Sequence, residues 1–80
     1  MPDRNLTFKK DLISFITNLE NEDEYINDIA LRRIVGILKE INSIEDLKYQ
    51  RELINRVAID CVTNWDTIHS IGNFIKDYTK

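Results

Sequence analysis

Proline and glycine are nearly absent from this chain. Its one proline is Pro2 and its two glycines are Gly36 and Gly72. A β-rich domain of this length needs several turn residues between short alternating runs. Strict alternation is missing too. Apolar residues instead recur three and four apart in every long segment, which is the spacing of one helical face. The pattern predicts an all-α domain: a small antiparallel bundle of four helices over about residues 7–20, 22–41, 44–63 and 66–78.

The first segment places Phe8, Leu12, Phe15, Ile16 and Leu19 on one face, with Thr7 or Asn5 as its N-cap. The second has a strong start signal. Asn21 stands three residues before Glu24 in a capping-box-like arrangement, and Glu22, Asp23 and Glu24 fill a first turn where the helix dipole favours acids. Ile26, Ile29, Ala30, Ile34, Ile37, Leu38 and Ile41 then share a face. Gly36 is costly inside a helix unless a neighbouring helix approaches closely. Asn42-Ser43 reads as stop and restart, with Asn42 able to end one helix in the left-handed conformation and Ser43 capping the next.

The last third allows two readings. Leu47, Ile54, Cys61, Ile68 and Ile75 lie seven apart without a phase slip. That register suits one helix over 44–78, about 50 Å long at 1.5 Å per residue, in a three-helix chain that needs a second copy to cover it. Against it stands Thr63-Asn64-Trp65-Asp66-Thr67, which is rich in poor helix formers and good caps. A break near residue 64 gives four ordinary helices, and this is the preferred reading.

Eighty residues with one cysteine and one histidine have neither an internal disulfide nor a Cys/His zinc site to stabilise them. No cofactor or metal is therefore expected, and dense packing or self-association must supply stability. The net charge of −3 counts against non-specific nucleic-acid binding. No run approaches the roughly 18 apolar residues of a membrane span. The first residues lack an apolar signal core, and with a lone cysteine the expected location is cytoplasmic.

Chemistry-bearing residues are few. Cys61 sits on the apolar seam with Asp60 beside it, an environment that raises a thiol pKa and makes it a core residue rather than a nucleophile. Asp66 and His69 form one Asp-x-x-His pair, whereas a di-iron bundle needs two such pairs and two further glutamates. Arg32, Arg33, Lys39, Lys48, Arg51 and Arg56 have an ordinary account as solvated charge with helical pairing such as Glu52 to Arg56.

The residues that best suit partner contact are the acids Glu22, Asp23 and Glu24, the aromatics Tyr49 and Trp65, and Ile59 and Val62. Ile59 and Val62 widen the third segment's apolar arc beyond one neighbour, while Tyr49 falls off the seam. The expected function is a non-catalytic protein-interaction module: an inhibitor, an immunity or antitoxin-like protein, an adaptor or a regulator. Its expected partners are another protein and a second copy in a homodimer. The alternatives are a nucleic-acid-binding regulator and a helical enzyme or cofactor carrier using Cys61 or Asp66 and His69.

Overall fold

The computed structural model describes residues 4–23, 25–61 and 64–79, with Cys61 described by its backbone alone. Four helices follow one another: α1 (Arg4–Glu20), α2 (Ile29–Lys39), α3 (Ile44–Cys61) and α4 (Trp65–Thr79). α2 packs on α1, α3 on α2 and α4 on α3. Ring contacts of Phe8 with Tyr78 and Phe15 with Phe74 close the circuit, with α4 antiparallel to α1. This is the antiparallel four-helix bundle that the periodicity predicts.

One core fills the space between the helices. Phe8, Leu12, Ile16 and Leu19 of α1 meet Leu31, Ile34, Val35 and Leu38 of α2, Leu47, Ile54, Val57 and Ala58 of α3, and Ile71 and Ile75 of α4. Burying a side chain of this size contributes about 1.5–3 kcal/mol, so the shared core is the main stabilising force in a domain with no crosslink.

α3 and α4 are separate helices, and residue 64 is where the second begins. The Asn64 side-chain oxygen accepts from the amides of Asp66 at 2.9 Å and Thr67 at 3.4 Å, capping α4. A continuous 44–78 helix of about 50 Å also exceeds the molecule's 41 Å long axis. The seven-residue register survives because both arms of the hairpin face the same core. Leu47, Ile54 and Ile75 are buried and Ile68 is half-buried.

The start of α2 corrects the sequence reading. Residues 21–23 and 25–27 form turns and a bend rather than the helix expected from residue 22. Asp28, not Asn21, is the cap: its carboxylate accepts from the Leu31 amide at 3.0 Å, and its backbone is extended at φ −100° and ψ 98°. Between Asn21 and Asp28 the chain has four short side chains that compete for local backbone bonds, and the last of them is followed by the unbroken apolar face. Ile26 and Ile29 are consequently not on that face.

α1 begins at Arg4, earlier than expected, so neither Thr7 nor Asn5 caps it. Asn5 instead accepts a hydrogen bond from the Ile44 amide at 3.1 Å and ties the start of α1 to the start of α3. Ser43 caps α3 as expected, accepting from the Asp46 amide, while the Asp46 carboxylate accepts from the Asn42 amide at 3.0 Å. Asn42 does not use the left-handed conformation. α2 ends through tight three-residue bonds from Glu40 to Ile37 and from Ile41 to Leu38. The close helix contact expected at Gly36 is also absent: the residue is exposed, and a Cβ there would meet nothing within 4 Å.

Candidate partner-binding site

The up-down-up-down order sends four stretches to one end of the bundle: the turns at 21–23 and 25–27, the first turn of α2, the last turn of α3 and the first turn of α4. Large apolar side chains at this end face solvent. Ile26 is 76% exposed, Ile29 73%, Ile59 63% and Trp65 66%. The local causes are separate. Ile26 and Ile29 precede the core-facing stripe of a helix that starts later than its acids suggest. Ile59 lies on the side of α3 away from Ile54 and Ala58. Trp65 is the first residue of α4, just past its cap, and its ring lies tilted against His69 at 6.1 Å.

Acids surround these residues. Asp23, Asp60 and Asp66 are exposed. Glu22 is half-buried and accepts a hydrogen bond of 2.7 Å from the Thr67 hydroxyl, which fixes the turns around it to α4 and leaves Thr67 as the one buried polar side chain among the described residues. Arg32 and Arg33, exposed on the first turns of α2, add positive charge to the same end.

Of the residues the sequence singles out, Glu22, Asp23, Ile59 and Trp65 thus come together. Tyr49 does not: it is 87% exposed near the start of α3, towards the opposite end. There it borders a groove of about 460 Å³ with Ile37, Ile41 and Leu53. Glu24 and Val62 lie outside the described residues, as does the Cys61 side chain. Ile26 and Ile29 are the site residues that sequence reasoning misses, because it places them on the buried face of α2.

The chemical alternatives gain nothing from the geometry. Among the described residues no group of three His, Cys, Asp or Glu side chains could hold a metal ion. Asp66 and His69 are both exposed. Glu52 and Arg56 form no ion pair; the ion pair present among the described residues joins Lys39 to Glu20 at 3.1 Å. No helix among them is long and apolar enough to cross a membrane.

A second feature lies on the bundle's flank. The Tyr78 hydroxyl donates a short hydrogen bond to the Asp11 carboxylate. That bond, with some burial and the Asp11 charge, pushes the Tyr78 pKa up to about 12. Tyr78 packs edge-on against Phe8, and Phe74 stacks on Phe15 at 4.5 Å with rings nearly parallel.

Compared with known proteins, the chain matches no family model, and no curated protein or solved structure is significantly similar to it.

Proposed function

We propose that the chain is a small non-catalytic protein-interaction module, of the inhibitor, immunity or antitoxin-like, adaptor or regulatory kind, which acts by seating the end of its bundle on a partner protein. One observation carries this reading: Ile26, Ile29, Ile59 and Trp65 are all more than half exposed at one end of the bundle, whereas Leu6, Ile13 and Tyr49, also exposed, are spread along α1 and α3. Several large apolar side chains exposed at one end of a small domain suit a contact site, and tryptophan is a favoured anchor in such contacts. The acids around it favour a partner that brings basic groups to the rim. A second copy can occupy the same patch when the partner is absent, so weak self-association belongs to the same reading.

The test is affinity capture from the native cell lysate with the wild-type chain and with the Ile59→Ser/Trp65→Ser variant. Both positions are exposed, so circular dichroism should show the variant fully helical. A protein held by the wild type and lost by the variant supports the proposal. Recovery of nucleic acid in place of protein, or equal retention by the variant, overturns it.

A further inference from the structure

The seam between α1 and α4 differs from the other three. The backbones of α1 and α2, α2 and α3, and α3 and α4 approach closely, whereas α1 and α4 meet mainly through rings. Phe8, Phe15, Phe74 and Tyr78 wedge the first and last helices apart. A surface groove of about 670 Å³ runs along the gap. Its α1 wall extends from Arg4 to Asn18, about 21 Å at the helical rise. Its α4 wall, Phe74 to Tyr78, is about one turn long, so a docked helix lies mainly along α1.

The groove has an aromatic floor and a carboxylate on each bank. Phe15 and Phe74 are half-buried and stacked, so ring surface remains open to a ligand. Asp11 stands one turn before Phe15 on α1, and Asp77 nearly one turn after Phe74 on α4. Asp11 engages Tyr78 through one oxygen only, and Asp77 is exposed with no partner among the described residues. Among the described residues Arg4 is the basic residue lining the groove; its charge reaches Tyr78 and offsets part of the two carboxylates.

We infer that this groove docks an amphipathic helix of a partner protein, with apolar side chains on the rings and lysine or arginine reaching the carboxylates at Asp11 and Asp77. The length and openness of the groove fit a helix rather than a compact small molecule. Its two carboxylates repel an anionic lipid surface or a nucleic-acid backbone and attract cations, which also gain from the ring faces. The inference rests on the reading of the chain as an interaction module, but it concerns a different surface from the Trp65 end.

The test is an NMR titration of the labelled full chain with a model amphipathic helix of leucine and lysine, about 18 residues or five turns long. A counterpart with glutamate for every lysine serves as control. The leucine-lysine peptide should bind saturably and shift the ring signals of Phe15, Phe74 and Tyr78, and the glutamate peptide should not. Asp11→Asn with Asp77→Asn keeps an acceptor for Tyr78 and should weaken binding about tenfold. Glu40→Gln with Glu52→Gln, an equal loss of charge elsewhere, should change it little. The inference is overturned if the shifts spread over all acidic surfaces, if they map to the Ile26 and Trp65 end, or if the Asp11/Asp77 variant binds as tightly as wild type. The second of these outcomes leaves the interaction reading standing. Loss of partner capture by the Ile59/Trp65 variant while the peptide still marks the groove shows two independent surfaces.

Discussion

Two carboxylates decide much of the local order, and each does so through one hydrogen bond. Asp28 starts α2 by accepting from the Leu31 amide. Its second oxygen is buried without a hydrogen-bond partner, so the cap is bought at some desolvation. Asp28→Ala should cost about 1 kcal/mol in urea unfolding, and Asp28→Ser, which keeps a capping oxygen, clearly less. If alanine and serine are equal, the carboxylate is not what starts the helix. Asp11 acts across the bundle instead, holding Tyr78. Because the folded Tyr78 pKa is about 12 against an ordinary 10.0, its contribution is fully present below pH 10 and is lost as pH rises through 12. Tyr78→Phe should therefore cost about 1 kcal/mol at neutral pH, and the gap to wild type should close across that alkaline window. In an ultraviolet absorbance titration, tyrosine ionisation should extend to about pH 12, and Tyr78→Phe should remove that late phase. A titration with no late phase, unchanged by Tyr78→Phe, would contradict the Asp11 bond.

At the scale of the helix, periodicity is legible and boundaries are partly so. Leu12, Ile34, Leu38, Ile54 and Ile71 are buried where three- and four-residue spacing places them. The start of α2 is not legible, because Asn21 and Asp28 are both good caps, and the tie from Thr67 to Glu22, which holds the turns between them, is long-range. That tie joins residues 45 apart, beyond the reach of any local pattern. The heptad from Leu47 to Ile75 misleads for a related reason: a register describes which side faces the core and is indifferent to whether the chain turns back. The same limit hides the site, since Ile26 and Ile29 follow a helical pattern yet stand outside the packed stripe. Gly36 yields a direct prediction at this scale. It is helical, exposed and surrounded by open space, so alanine there gains helix propensity and meets no clash. Gly36→Ala should raise stability by about 0.5–1 kcal/mol, or a few degrees in thermal melting. A destabilised variant would contradict the open surroundings of Gly36 in the fold.

For the molecule as a whole, salt separates the two kinds of association that its surface permits. The hairpin of α3 and α4 covers its own seam, with Ile54, Ala58, Ile71 and Ile75 buried in a single chain. The long-helix route to a dimer is therefore closed, and any dimer must form through exposed surface, with the Trp65 end the proposed contact. Two copies meeting there bring Asp23, Asp60 and Asp66, which outnumber Arg32 and Arg33, against their equivalents, on chains that each carry a net charge of −3. Apolar burial favours that contact and like charge opposes it, so screening should strengthen it. A basic helix in the α1–α4 groove obeys the reverse rule and should loosen with added salt. Trp65 is the only tryptophan, which makes its emission a direct reporter of the end patch. On concentration at moderate salt, sedimentation should show a rising dimer fraction while Trp65 emission moves to the blue, and Trp65→Ser should stay monomeric. A strict monomer at every salt concentration, with emission fixed at the fully solvated position, would remove the second copy as an occupant of this end and leave it to another protein alone.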